Sequence, residues 1–237
     1  MSEYSSGAER PVSGGSVSDL PAAAHEGLAL DLEVIERVFC PAITPRAAAK
    51  RALDVMVSAF LILLLSPVFL LISAALAIRF RRSPFFAHER VGRDGEIFKC
   101  LKFRTMRDPQ PHEEVSQHPA FKDGTDTRTT GLTSWLRRTS LDELPQLFNV
   151  LNGEMSIVGP RPVVQEELSL YFGDLAPLLL TAKPGMTGLW TVNGRSDVPY
   201  PERSLIELRY VTNMSLRRDV GILAKTVVAV IGGRGAV

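Results

Sequence analysis

Leu53 to Ile78 is a run of 26 residues whose only formal charge is Asp54. Wound as a helix at 1.5 Å per residue it would reach roughly 39 Å, beyond the ~30 Å hydrocarbon core of a bilayer. Soluble cores do not need so long an apolar stretch, so the run places the chain in a membrane. Basic residues stand on both sides of it: Arg46, Lys50 and Arg51 before, Arg79, Arg81 and Arg82 after. A simple spanning helix carries its basic excess on one side, so both ends read as cytoplasmic. Ser66-Pro67 falls at the midpoint. The proline removes a backbone donor and clashes with the preceding turn, and the serine hydroxyl is able to bond a freed carbonyl. A re-entrant helix that bends at Ser66-Pro67 and leaves by the face it entered fits both facts best. A kinked spanning helix and a buried soluble core helix stay open as alternatives.

Whole-chain composition hides this organisation. The formal net charge is +1 and 45% of residues are hydrophobic, as in an ordinary soluble enzyme. Met1 to Pro45, however, holds two basic and seven acidic residues, a net of −5, which leaves +6 for the rest. A mildly basic body suits anionic partners, and its charge is too dilute for a nucleic-acid-binding protein. The two cysteines, Cys40 and Cys100, exclude a disulfide framework and fit a reducing compartment.

The first twenty residues contain six serines, three glycines and a proline and read as a disordered tail. They lack the basic start, apolar run and cleavage site of a secretory signal. Leu28, Leu32, Ile35 and Phe39 recur at spacings of 4, 3 and 4, which predicts a short amphipathic helix, packed on the body or on a partner. Residues 1–45 thus read as a leader, 46–82 as the membrane segment and 83–237 as a domain beyond it.

Beyond the membrane segment, Phe85 to Val91 and Glu96 to Thr105 flank the glycine-bracketed turn Gly92-Arg93-Asp94-Gly95, which predicts a β-hairpin. Period two places Ile97, Leu101 and Phe103 on one face, with Cys100, Lys102 and Arg104 on the other. The cations serve either a solvated edge or an anion site. Arg107 to Thr130 reads as a long loop. Leu132 to Arg138, Leu141 to Leu151, Val163 to Phe172, Glu202 to Met214 and Asp219 to Ile231 read as helices, with loops at Met155 to Pro162 and Lys183 to Pro201. The last helix is apolar on most of its circumference, as a helix against the bilayer surface or the hairpin would be. The fold class is α+β: a membrane anchor and a mainly helical domain with a small hairpin and amphipathic interfacial helices.

Three clusters could carry chemistry. Ser140-Leu141-Asp142-Glu143 has the spacing of a capping box, although Pro145 complicates a helix that starts there. Its adjacent carboxylates also suit a metal ion, with Arg137 and Arg138 just ahead of them. Gly159-Pro160-Arg161-Pro162 holds an arginine in a loop stiffened by prolines, suited to bidentate phosphate binding. Lys183 to Trp190 and Asn193 to Asp197, including Arg195, offer glycines that permit close backbone approach, an aromatic face and polar edges. Together they describe a charged, metal-compatible site beside a membrane, suited to phosphates.

In their order, several motifs resemble the bacterial sugar transferases, small monotopic phosphoglycosyl transferases that start polysaccharide assembly on polyprenyl phosphate. They are Lys50-Arg51-x-x-Asp54, the apolar run with Ser66-Pro67, Lys102-Phe103-Arg104-Thr105-Met106, Ser140 to Leu151, Met155-Ser156-x-Val158-Gly159-Pro160-Arg161-Pro162 and Pro184-Gly185-x-Thr187-Gly188-Leu189-Trp190. The resemblance covers about Arg46 to Val237. It implies transfer of a sugar-1-phosphate from a UDP-sugar to polyprenyl phosphate at the cytoplasmic face of the bacterial inner membrane. Asp142 would be the nucleophile that expels UMP and forms a phosphosugar-aspartyl intermediate, and Glu143 the ligand of Mg²⁺. Arg161 would clamp a phosphate, with Lys102, Arg104, Arg138 and Arg195 as further cationic candidates. Thr191 departs from relatives that commonly carry glutamine there. The length and the Arg234-Gly235-Ala236-Val237 ending resemble the exopolysaccharide-initiating type, which implies galactose-1-phosphate first and glucose-1-phosphate second. Self-association is left open. Two rival readings are a glycosyltransferase that releases UDP and a non-catalytic membrane adaptor of a polysaccharide-synthesis complex.

Overall fold

The computed structural model describes residues 45–106, 131–194 and 198–232. The leader and the helix expected at Leu28 to Phe39, the whole Arg107 to Thr130 loop, Arg195 and the C-terminal Arg234 to Val237 lie outside the described residues.

Helix α1 runs from Pro45 to Phe80 with Pro67 inside it. Among the described residues it alone is long and apolar enough to cross a membrane, and only 11% of its apolar window is buried. So exposed an apolar helix is compatible with a membrane anchor and unlike the mostly buried core helix of a soluble protein. Met56, Phe60, Leu63, Leu70, Leu71 and Ile78 leave large apolar side chains uncovered, those from Met56 to Leu70 at spacings of 4, 3 and 7. Pro67 lacks the N–H that would reach Leu63, and the Ser66 hydroxyl donates to that same carbonyl at 2.8 Å.

The buried side of α1 is tied to the domain by the polar start of the run. Asp54, 3% exposed, accepts the Ile157 N–H and the Ser156 hydroxyl, each at 3.0 Å, so the lone charge is satisfied by backbone and side chain. Lys50 donates to Asp219 at 2.7 Å and to the Val158 carbonyl at 2.9 Å. Arg51 donates to the carbonyls of Val150 and Leu151, at 2.6 and 2.7 Å. Further along, Phe69 packs on Phe103 and Phe148, and Leu76 is fully buried.

Strands β1 (Phe85–Val91) and β2 (Ile97–Phe103) form the expected antiparallel hairpin, Phe85 opposite Phe103 and Val91 opposite Ile97. Burial along β2 switches face: Phe98 and Cys100 of one face are buried, Ile97 of the other is 58% exposed, and Phe103, on the Ile97 face, is buried at the end of the strand. Tertiary covering decides this. Asn149 of helix α3 (Gln146–Asn152) accepts the Leu101 N–H and donates to the Lys99 carbonyl, closing the outer edge of β2 as a further strand would.

Helix α2 (Gly131–Arg138) precedes the candidate dyad. The regions expected as loops at Met155 to Pro162 and Lys183 to Pro201 contain two short strands, β3 (Ser156–Val158) and β4 (Gly185–Thr187), paired in parallel. The glycines of these motifs serve that pairing. A Cβ on Gly185 would lie 2.1 Å from the Gly159 nitrogen, and one on Gly188 2.2 Å from the Gly159 oxygen. The close approach is of backbone to backbone. Helices α4 (Gln165–Tyr171), α5 (Ala176–Leu179), α6 (Leu189–Val192), α7 (Glu202–Thr212) and α8 (Leu216–Gly232) complete the described domain. α8 buries Ile222, sets its Thr226 hydroxyl 2.7 Å from that of Thr187, and leaves Val220, Val227 and Val228 exposed.

Candidate active site

Asp142 and Glu143 do not open an α-helix. Leu141–Glu143 is a 3₁₀ turn, and α3 begins only at Gln146, after Pro145. The expected helix from Leu141 and its capping box are therefore corrected. Ser140 has φ +57° and no side-chain capping bond. Pro145 cannot donate to the Leu141 carbonyl, which instead accepts the Leu144 N–H at 3.3 Å. The left-handed Ser140 and the tight turn hold the two carboxylates at a corner between α2 and α3, where strain of this kind often accompanies function.

Strand β2 supplies the cation of this corner. Lys102 Nζ donates to Glu143 Oε1 at 2.6 Å. Burial opposes the lysine's charge, but Glu143 and Asp142 together hold its pKa above the ordinary value. Burial first, and then Glu143, push the Asp142 carboxyl up to about 6, while Lys102 and Arg137 pull it down. Asp142 thus remains ionised at neutral pH while poorly solvated, the condition of an activated carboxylate nucleophile.

Arg161 lies in a second cluster. Its Nη1 donates to Glu167 Oε1 at 3.0 Å, and its guanidinium stands 5.8 Å from the Trp190 ring centre. Burial works against both charges, yet Arg161 holds the buried Glu167 carboxyl below the usual range and Glu167 holds Arg161 above it. The pairing of β3 with β4 brings Arg161 and Trp190 together. The first hairpin links the clusters. His88 is opposite Cys100 and Arg90 is opposite Phe98, so Arg90 shares a face with Lys102. Arg90 donates to the Pro162 carbonyl at 3.2 Å, lies 3.5 Å from Glu167, and feels Glu143 as well as Arg161.

The remaining candidates separate. Arg104 donates to the Ser83 carbonyl at 3.1 Å and stands over the Phe86 ring, at the outer end of the hairpin. Arg138 is exposed, and its neighbour Arg137 is the one in range of Asp142. Arg195 lies outside the described residues. Ser66 and Pro67 are in the apolar run, away from both clusters in sequence.

Among the described residues no three histidine, cysteine or carboxylate groups converge on a point that would cage a metal. Mg²⁺ needs fewer, since it is usually bound by one or two carboxylates, water and the substrate's phosphates. The adjacent carboxylates of Asp142 and Glu143 fit that requirement.

A model of the family described as "Bacterial sugar transferase" matches residues 45–233. The chain belongs to the bacterial sugar transferase family. It is 44% identical over 201 residues to the exopolysaccharide production protein ExoY of Rhizobium meliloti, covering 79% of this chain and 88% of that one. It is 46% identical over 200 residues to the UDP-galactose-lipid carrier transferase of Erwinia amylovora, covering 79% of this chain and 41% of the relative. It is 42% identical over 200 residues to the undecaprenyl-phosphate galactose phosphotransferase of Salmonella typhimurium, with the same shares.

Several side chains of this sugar transferase were not singled out from sequence. Arg90 and Glu167 are 77 positions apart and neither stands in a motif. Arg203 stands over Trp190 and Tyr200, at 5.3 and 5.2 Å, and Tyr200 stacks on Tyr171 at 3.8 Å. Glu207 is 1% exposed, and no side chain hydrogen-bonds either of its oxygens. Burial pushes its carboxyl up to about 8, against the opposing pull of the Arg161 backbone and the Arg161 and Arg203 guanidiniums. A signal was present for Glu207. It shares the buried stripe of α7 with Ser204, Leu208 and Val211, at intervals of 3, 4 and 7.

Proposed function

We propose that this chain transfers a hexose-1-phosphate from a UDP-sugar to polyprenyl phosphate, with undecaprenyl phosphate as the carrier, and so initiates exopolysaccharide synthesis. The observation that carries the reading is Asp142 itself, a poorly solvated carboxylate beside the 2.6 Å Lys102–Glu143 pair, in a member of the bacterial sugar transferase family. In the first step an Asp142 oxygen attacks the sugar-bearing phosphorus. The bond from that phosphorus to the bridging oxygen breaks, UMP departs, and the phosphosugar is left on the aspartyl carboxylate. In the second step a phosphate oxygen of the polyprenyl phosphate attacks the same phosphorus and frees Asp142, giving polyprenyl-diphosphate-sugar.

Lys102 and Arg137 keep Asp142 ionised by opposing its burial. Glu143, with Asp142 beside it, would hold Mg²⁺, which when bound offsets the charge of the diphosphate. Arg161, fixed by Glu167, serves as a phosphate clamp, and Arg90 joins the two clusters. Galactose-1-phosphate is the first donor group, as in the named activities of the Erwinia and Salmonella relatives, and glucose-1-phosphate the second.

The site works at the cytoplasmic face of the inner membrane, with α1 re-entrant. The basic residues at both ends of the apolar run and Pro67 near its middle support that reading.

A panel of UDP-sugars offered with undecaprenyl phosphate and Mg²⁺ tests the reading. UMP release and a hexosyl-diphosphate lipid are expected with UDP-galactose. UDP as the product would favour a glycosyltransferase, and no turnover across the panel would favour the adaptor.

A further inference from the structure

Gly153 ends α3 with φ +87°, and two cations from distant segments meet above its missing side chain. The point where a Cβ would sit is 3.5 Å from Arg51 Nη2 and 3.5 Å from Lys183 Nζ, which places the two nitrogens within 7 Å of each other. Neither cation has a carboxylate partner among the described residues. Among the described residues Arg51 donates only to the Val150 and Leu151 carbonyls, and Lys183 makes no hydrogen bond or ion pair. Asp54, the acid nearest in effect, is committed to Ser156 and Ile157. Burial, Arg51 and Arg93 all act against the charge on Lys183. A lysine retained against two arginines at a cost to the empty protein is understandable where an anion completes the group.

The position in the chain indicates which anion. Arg51 is two residues before Leu53, where the apolar run starts, so on the membrane reading above it stands at the level of the phospholipid headgroups. The Arg51 N–H groups left over from the Val150 and Leu151 carbonyls, beside the Lys183 point charge, match a phosphate. We propose that Arg51 and Lys183 form a binding site for the headgroup phosphate of an anionic glycerophospholipid at the mouth of α1. Lys183 directly precedes Pro184, whose carbonyl accepts the Ser156 N–H at 2.8 Å. A lipid held there would brace the β3–β4 pair that carries Arg161 and Trp190.

The test uses the full chain in phosphatidylcholine nanodiscs with increasing phosphatidylglycerol, read by thermal unfolding rather than by activity. Phosphatidylglycerol should raise the Tm of the parent protein. Lys183→Ala should weaken the apparent affinity about fivefold, corresponding to ~1 kcal/mol for one basic residue at an anionic surface, and Lys183→Arg should restore it. An unchanged response in Lys183→Ala would overturn the site, as would an equal Tm shift from inorganic phosphate in nanodiscs without phosphatidylglycerol. A rise in KM for undecaprenyl phosphate in Lys183→Ala, with its phosphatidylglycerol response intact, would assign the pair to the substrate instead and also overturn it. Failure of the parent chain to enter nanodiscs would contradict the membrane reading, a result distinct from any of these.

Discussion

Lys102 Nζ lies 2.6 Å from Glu143 Oε1, joining the second strand of the hairpin to the carboxylate next to Asp142. One cation thus serves two acids: it pairs with Glu143 and holds down the pKa of Asp142, which burial and Glu143 push up.

The pH profile should expose that balance. A nucleophilic carboxylate must be ionised, so kcat/KM for UMP release should rise through about pH 6. Lys102→Met removes a cation that favours ionisation, so the acid limb should move to higher pH and the rate at pH 7 should fall. Glu143→Gln removes a group that opposes ionisation, so the limb of its residual activity should move to lower pH. Initial rates between about pH 5 and about pH 8 measure both shifts. Limbs that stay put would separate Asp142 from these neighbours.

Asp54 should matter for assembly rather than chemistry. Asp54→Ala leaves the Ile157 N–H, and one bond of the Ser156 hydroxyl, without a partner in a buried place. A loss of about 1–3 kcal/mol is expected, the cost of an unsatisfied buried polar group. Unfolding of the detergent-solubilised variant measures it, and a parent-like midpoint would show that the Lys50 and Arg51 bonds suffice alone.

The hairpin and the apolar helix were legible in the sequence because each is local. The glycine-bracketed turn joins strands six residues apart, and the proline that breaks the α1 ladder is next to the serine that mends it. The β3–β4 pair was not legible, because its strands are three residues long and Ser156 meets Gly185 only in the fold. Their glycines suggested approach to a ligand and instead permit approach to one another. Asp142 and Glu143 stood out by adjacency, but their setting did not. Serine three residues before glutamate implies a cap, and only Pro145 warns that the helix starts later. Which side chains of β2 are covered was not legible either, because period two gives two faces without saying where α3 will lie.

Gly185→Ala tests that backbone contact. Its Cβ would fall 2.1 Å from the Gly159 nitrogen, a backbone atom that cannot swing aside. The expected loss is about 2 kcal/mol or more, in the range of overpacked cores. Loss of UDP-sugar binding should accompany it, because Arg161 and Trp190 separate when the strands part. Calorimetry with UDP and a thermal scan check both.

Glu207 makes stability depend on pH. Its carboxyl is protonated to about pH 8 in the folded protein, against about 4.5 when unfolded. Between those values the folded state binds the extra proton, so stability should decline as pH rises from about 4.5 to about 8 and then level off, by on the order of a few kcal/mol in all. Glu207→Gln should remove most of that slope and unfold at a higher temperature than the parent above pH 8. Parallel curves for the two proteins would contradict the buried, protonated carboxyl.

The covalent role of Asp142 is tested most directly by intact mass spectrometry of the protein after brief exposure to UDP-galactose and Mg²⁺ with no polyprenyl phosphate present. The parent should gain the mass of one hexosyl-phosphate group, mapped to the peptide containing Asp142, and should lose it when undecaprenyl phosphate is added. Asp142→Asn should gain nothing. An adduct of the same mass on Asp142→Asn, or full turnover by that variant, would contradict the account.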